Sequence, residues 1–402
     1  MELCIARQPI FSFNKRLYAY ELLFRGNDKL SLESTEGNKA TSILLSSTFL
    51  IEGIEKVTGS KPCFVNFPEK LLLKNIPAAF PKNRLVVEIL EDVEPTPEII
   101  AACKKLKQDG YTLALDDFVY HPRFDPLLEL ADIVKVDFLL TPVAEVHKML
   151  YKMAKFDHLK LLAEKVETYD EFEQALKLGF HYFQGFFFSK PELIRIGELT
   201  SVKVNLIRLL AEVSQKKTTV KRLEEIVSVD VALTYKLLRY LNSAHFYLLE
   251  KVKSVARAIS FLGEKRFRRF VLLVLISEVA SDKPDELVKL AVVRAKFCEL
   301  LAGQGAMKEN SGELFLVGLF SVIDAMLDKP MKELMKRISL SQDVKTALVS
   351  RTGTYAAVLE AVECYERGEM RGCNCALQEA GIIPDGLGDL YLQALEYGDR
   401  LL

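Results

Sequence analysis

The sequence predicts an α/β barrel over residues 1–195 followed by an all-α domain over residues 196–402. Three observations predict it. Short β-rich apolar runs alternate with longer helical stretches up to about residue 190, and that alternation builds a parallel sheet. Strand signals stop after Pro191. The chain has 402 residues, half of them apolar, which is long for one core and rich enough for two.

The strand-like runs are, in order, 17–24, 62–67, 85–89, 112–115, 133–136, 159–163 and 182–184. Between them, 98–109 and 170–178 carry apolar residues at helical spacing, and Gly179 stops the second. Seven or eight strand–helix units favour a closed barrel over an open doubly wound sheet. The open sheet remains the alternative, but neither G-x-G-x-x-G nor G-x-x-x-x-G-K-[ST] follows any strand. From Glu198 onward the pattern is helical: 202–212, 220–228, 233–241, 255–262, 267–279, 287–302 and 314–326. Short breaks such as Ser281-Asp282-Lys283-Pro284 separate these stretches. The division falls near 190–203, with 202–212 as a candidate connector.

Charge excludes several functions. With 54 basic and 55 acidic side chains and a net charge of -1, neither a nucleic-acid partner nor a polybasic membrane anchor is expected. Met1-Glu2-Leu3-Cys4 does not begin a signal peptide. The apolar run 270–276 falls far short of the about 20 residues a membrane span needs, so it reads as a buried helix face. A cytoplasmic location is the expectation. The seven cysteines are scattered and do not form a disulfide framework. Cys373 and Cys375 are too close for a usual zinc knuckle, and no histidine follows His245.

Acidic and polar residues cluster at the strand ends: Glu21, Asn66, Glu88, Asp116 with Asp117, Lys135 with Asp137, and Glu164. In a barrel these ends converge on one mouth, where catalysis resides. A single acid there is an ordinary solvated loop residue. Five or six crowd negative charge into a funnel, at a cost unless a cation neutralises them. Such hard oxygen ligands suit Mg²⁺, Mn²⁺ or Ca²⁺ rather than zinc. Two such ions can activate a water and stabilise a phosphate in flight.

This pattern resembles the EAL-type cyclic-di-GMP phosphodiesterase domain, a modified TIM barrel, over roughly residues 1–190. Glu21-Leu22-Leu23 resembles the tripeptide that names the family, with Leu22 in place of alanine. The resemblance implies metal ligands at Glu21, Asn66, Glu88, Asp116 and Asp117, and ligand contacts at Arg25 and Gln184. It implies catalytic roles for Lys135, Glu164, Asp117 and Glu167. It further implies up to two Mg²⁺ or Mn²⁺ ions, with Ca²⁺ as an inhibitory or non-catalytic occupant. Gln184-Gly185 matches the closing motif. Two departures stand out. Asp116-Asp117-Phe118 is followed by Val119-Tyr120-His121-Pro122 where the family has Gly-Thr-Gly, and Lys165 replaces a usual glycine.

In the helical half, 238–244 and 254–263 resemble the HDOD domain, a non-catalytic relative of HD-type phosphohydrolases. Where those relatives carry His-Asp after Gly-Leu-Leu, this chain has Ser321-Val322 after Gly318-Leu319-Phe320. Asp324 and His245 read as ordinary polar residues. The basic run Lys265-Arg266-Phe267-Arg268-Arg269 reads as a solvated face in preference to an anion site. The expectation is a signalling protein that binds cyclic di-GMP with weak, conditional or no turnover. Its helical domain would support a homodimer and an unidentified protein partner. An active phosphodiesterase and a ligand-free scaffold are the alternatives.

Overall fold

The computed structural model describes residues 4–25, 54–189, 201–215, 218–229, 234, 235, 237, 238, 241, 242, 252–305 and 307–401. The chain divides into two compact units. One comprises Met1–Lys190 with Glu360–Gln378 and Ile383–Glu396; the other comprises Pro191–Leu359 with Glu379–Ile382 and Tyr397–Leu402. The last three described helices contribute segments to the barrel's unit.

Eight strands close in sequence order: β1 (Cys4–Ser12), β2 (Leu17–Arg25), β3 (Cys63–Phe67), β4 (Leu85–Ile89), β5 (Thr112–Leu115), β6 (Ile133–Asp137), β7 (Lys160–Glu164) and β8 (Tyr182–Gln184). From β2 to β8 all neighbours are parallel. Strand β1 runs antiparallel to both β2 and β8. It had no counterpart among the runs read from sequence, because Arg7, Gln8 and Pro9 interrupt its apolar pattern. Its tight turn into β2 is closed by backbone bonds between Ser12 and Arg16 and between Lys15 and Ser12.

One apolar ring fills the barrel: Ile10, Ala19, Phe64, Val86, Ala114, Ile133, Leu162 and Tyr182, one residue from each strand. Side chains alternate along a strand, so a residue two positions on points the same way. Two positions further along β2–β8 lie Glu21, Asn66, Glu88, Asp116, Lys135, Glu164 and Gln184; two positions back along the reversed β1 lies Gln8. Strand period alone thus stacks a polar ring on the apolar one.

Helices Pro97–Asp109, Val143–Met153 and Tyr169–Lys177 bury one face each. Thr96 caps the first and accepts the Ile99 N–H, and Gly110 ends it in a left-handed conformation. A reciprocal Thr168–Glu171 capping box starts the third.

The second unit contains the helices Ser201–Val213, Val220–Val229, Val255–Leu262, Glu264–Val279, Asp285–Gly303 and Ser311–Phe320. The run 270–276 is buried throughout, as expected of a helix face. The expected helix 314–326 is broken: Ser311–Phe320 is followed by Ile323–Leu327. At the break the Ser321 hydroxyl donates to the Gly318 carbonyl at 2.7 Å, a local bond that competes with helix continuation. The expected helix 233–241 and His245 fall wholly or partly outside the described residues. No described helix is long and apolar enough to cross a membrane.

Candidate functional site: a ring of carboxylates around a buried lysine

The polar ring converges on Lys135, whose side chain is fully buried. Its Nζ lies 2.6 Å from Glu88 Oε1, 2.7 Å from Asp116 Oδ1, 2.8 Å from Glu164 Oε1 and 3.3 Å from Glu21 Oε2. An ammonium has three protons, so it cannot satisfy four carboxylates. Gln184 Nε2 donates to Glu21 Oε2 at 2.6 Å and to Gln8 Oε1 at 2.8 Å. Gln8 was missed in the sequence with the strand that carries it; an antiparallel partner opposite Glu21 is the signal that finds it.

The electrostatics follow from burial. Desolvation pushes the Glu88 carboxyl well above the usual carboxylate range; Lys135 pulls it down, while Glu21 and Asp116 push it further up. Desolvation likewise raises Glu164 to about 8, against the downward pull of Lys135 and with the upward push of Asp116 and Glu21. Burial alone would lower Lys135, yet the charges of Glu164, Glu21, Glu88 and Asp116 carry it well above its ordinary value. These directions favour an ammonium at Lys135 and protons on Glu88 and Glu164, which relieve surplus negative charge.

A metal ion can be tested against these residues. Among the described residues, Glu88 Oε2, Asn66 Oδ1 and Gln184 Oε1 are buried without a hydrogen-bond partner. Orphaned acceptors cost free energy, and here they sit in a ring that already holds more carboxylates than Lys135 can serve. As the side chains stand, no described group of three or more His, Cys, Asp and Glu is set to hold a metal ion, because Lys135 Nζ takes the point of convergence. The donor chemistry of Glu21, Asn66, Glu88 and Asp116 nevertheless fits one hard divalent cation beside Lys135.

The outer acids are placed differently. Asp117 lies outside the ring, exposed, with φ +39°. The charge beside it is Lys165, whose Nζ lies 4.0 Å from Asp117 Oδ1 and hydrogen-bonds to Asp137 Oδ2. Asp137 Oδ1 is taken by the N–H groups of Leu139 and Leu140, both at 2.8 Å. Glu167 is exposed at the start of the next helix, where its N–H donates to Glu171 Oε2 at 2.7 Å. The Arg25 backbone belongs to β2, but its side chain lies outside the described residues.

The altered loop has partners of its own. Phe118 N–H bonds to the Lys135 carbonyl at 2.9 Å, which fastens the loop's start to β6. The Tyr120 hydroxyl donates to Asp125 Oδ1 at 3.1 Å, and His121 Nδ1 accepts the Arg123 N–H at 3.2 Å. Pro122 opens a short 3-10 turn. The loop walls a cleft of about 370 Å³ together with Ile89, Glu91, Leu115 and Asp116. Gly185 has φ +140°, and a Cβ there would meet the Val166 carbonyl oxygen at 2.1 Å. This close approach explains the glycine after Gln184 and holds the loop bearing Lys165.

In the helical unit, Arg268 donates to the carbonyls of Val213, Gln215 and Thr218 at 2.6–2.8 Å, closing the end of the helix Ser201–Val213. Arg269 forks onto Glu299 and stacks over the Phe315 ring at 4.6 Å. Lys265 and Arg266 are exposed.

Residues 58–191 match the EAL domain family and residues 199–349 the HDOD domain family. The Glu21 tripeptide lies ahead of the first matched segment. The chain is 38% identical over 379 residues to the cyclic di-GMP phosphodiesterase CdgJ of Vibrio cholerae, covering 94% of this chain and 88% of that protein. It is 37% identical over 412 residues to the uncharacterized protein YuxH of Bacillus subtilis, covering 100% of this chain and 99% of that protein. Among solved structures, the calcium and cyclic di-GMP complex of Klebsiella pneumoniae BlrP1 is 23% identical, covers 49% of this chain and 58% of that one, and gives a TM-score of 0.39.

Proposed function

This chain belongs to the family of proteins in which an EAL domain is followed by an HDOD domain, and on that premise we propose that it is a signalling protein whose barrel mouth binds cyclic di-GMP. Its turnover of that ligand is slow, conditional or absent, and the helical unit serves as a non-catalytic output module. The observation that carries the reading is the complete polar ring around Lys135, with buried acceptors left over for something that is not part of the chain. The name of CdgJ supports the identity of the ligand.

The residues divide the work. Lys135, held protonated with its N–H groups spent on the ring carboxylates, cannot serve as a general base. Glu164, with its carboxyl raised to about 8, exchanges a proton near neutral pH. The Gln184 amide is oriented by Gln8 and Glu21, which leaves its carbonyl oxygen to accept from the ligand. Arg25 is assigned to a ligand phosphate, and Asp117 and Glu167 to the rim of the mouth. Glu21, Asn66, Glu88 and Asp116 would hold one Mg²⁺ or Mn²⁺, with Ca²⁺ as a non-catalytic occupant. When bound, that ion supplies Lewis-acid polarisation of a phosphate oxygen. Cys63, Cys103, Cys364 and Cys375 are without a disulfide, in keeping with a reducing cytoplasm.

Calorimetry with cyclic di-GMP in Mg²⁺ and in Ca²⁺ tests the reading. Saturable binding is expected; no binding at about 100 μM ligand overturns it. The output role predicts a homodimer, and light scattering that returns a concentration-independent monomer mass refutes that part. A second reading, hydrolysis to the linear dinucleotide, is favoured by the name of CdgJ. Robust linear product in Mg²⁺ or Mn²⁺, abolished by Glu21→Ala, would establish it.

A further inference from the structure

The barrel mouth contains two groups of carboxylates, and they are neutralised differently. The inner ring is buried around Lys135 and keeps orphaned oxygens. The outer pair, Asp117 and Asp137, sits on consecutive loops and shares one cation, the Lys165 ammonium. We propose that Lys165 is a tethered cation that fills the outer carboxylate pair, so that this barrel takes one divalent ion where the family resemblance implies up to two. The inference rests on the inner ring being a cation site.

Three observations converge on it. Lys165 sits at φ +54°, a left-handed conformation that glycine adopts freely and a lysine adopts only at a cost. Its backbone is pinned by its neighbours: Val166 N–H donates to the Gln184 carbonyl at 2.9 Å, Phe187 N–H donates to the Val166 carbonyl at 3.1 Å, and Gly185 packs directly against Val166. The side chain therefore projects from a fixed point toward Asp137 and Asp117. Asp137 is held for it from behind, since its other oxygen is consumed by the Leu139 and Leu140 N–H groups.

Replacing a divalent ion with an ammonium changes what the outer pair can do. Asp117 and Asp137 with Lys165 carry a formal charge of about −1, so a divalent ion added there would meet the ammonium at short range. An ammonium donates hydrogen bonds and attracts a phosphate, but it has no open coordination position and does not lower the pKa of a water as a metal ion does. The side chain is 48% exposed, so it stays open to solvent while its Nζ is bonded to Asp137. Lys165 thus adds ligand affinity that needs no second metal, while the outer half of a two-ion site is absent.

The test counts ions without the dinucleotide. Mn²⁺ titration followed by the electron paramagnetic resonance of free Mn²⁺ should give one bound ion for the parent and two for Lys165→Gly. The glycine relieves the positive φ, so this variant should fold. Adding Asp117→Asn to Lys165→Gly should return the count to one, and Lys165→Arg should keep the parent's count. Equal counts in parent and Lys165→Gly, or two ions in the parent, overturn the inference. An increment of one in Lys165→Gly together with no cyclic di-GMP binding in calorimetry would uphold it and break the ligand assignment instead.

Discussion

The barrel and the helical unit both hold arginines, lysines and acids against packed cores, but they leave them in different states. In the barrel, four carboxylates share one ammonium, and three nearby acceptors are buried with nothing to accept. In the helical unit, Arg268 spends its guanidinium on three carbonyls of its own chain, and Arg269 spends its own on Glu299 and Phe315. Gly318 packs directly on the Arg294 backbone; a Cβ there would lie 2.4 Å from it. The position at which HD relatives carry His-Asp is filled by Ser321, bonded to its own helix, and by buried Val322. The contrast is one of satisfaction: charges satisfied within the chain hold helices together, whereas the ring's buried groups left short of partners are what the proposed ligand site rests on. The run 265–269 shows both, since Arg268 and Arg269 are structural while Lys265 and Arg266 form the solvated face.

The largest effect that could break this contrast is Lys135→Met. Removing the one cation from four buried carboxylates should cost about 3–5 kcal/mol in denaturant titrations at neutral pH with chelator present. Added Mn²⁺ should restore part of the loss, because an ion can take over the neutralisation. Arg266→Ala, on the exposed face, should change stability by less than about 0.5 kcal/mol. If the two variants cost the same, the ring is not the electrostatic centre described here.

Two glycines sharpen the comparison next. Gly185→Ala places a methyl group against the Val166 carbonyl and forces a left-handed backbone on alanine, and should cost about 3 kcal/mol. Gly318→Ala overpacks a helix contact and should cost about 2 kcal/mol. Only the first should also weaken cyclic di-GMP binding, since only it moves the loop of Glu164 and Lys165. Equal weakening by both would show that binding reports stability alone.

A smaller effect should appear with pH. The folded carboxyl of Glu164 titrates at about 8, above its unfolded value, so the folded state binds the proton more tightly. Its contribution to stability is present below the unfolded pKa and is lost as pH rises through about 8. Melting temperature measured with chelator should therefore decline from pH 5 to pH 9, and Glu164→Gln should flatten the decline. A parent profile that rises over this range would contradict the burial argument. The smallest effect is expected for Arg268→Ala, about 1 kcal/mol, from loss of the helix-end bonds, with metal binding unchanged.

Much of the barrel was legible because strand period does most of the placement. Runs such as 85–89 and 133–136 are short, β-branched and bounded by breaks, and each carries its ring residue, Glu88 or Lys135, one position before its end. Strand β1 was not legible: Arg7, Gln8 and Pro9 belong to a reversed strand whose pairing to β2 and β8 no local pattern announces. Gln8 was lost with it. Lys165 was visible as an oddity beside Glu164, but its partner is Asp137, 28 residues away. Local sequence cannot show which of several acids a long side chain reaches.

The order of residue types along each strand was enough to dictate a polar ring two positions beyond an apolar one, because alternation is a property of the extended backbone itself. The helix stop at Gly179 was equally local. What only the tertiary structure decided is how the charges divide among themselves. Closure of the barrel brings Glu21 and Lys135, 114 residues apart in sequence, to 3.3 Å, and buries the ammonium among four acids. Coulomb energy and desolvation depend on distance and burial, and neither is defined until the chain has closed.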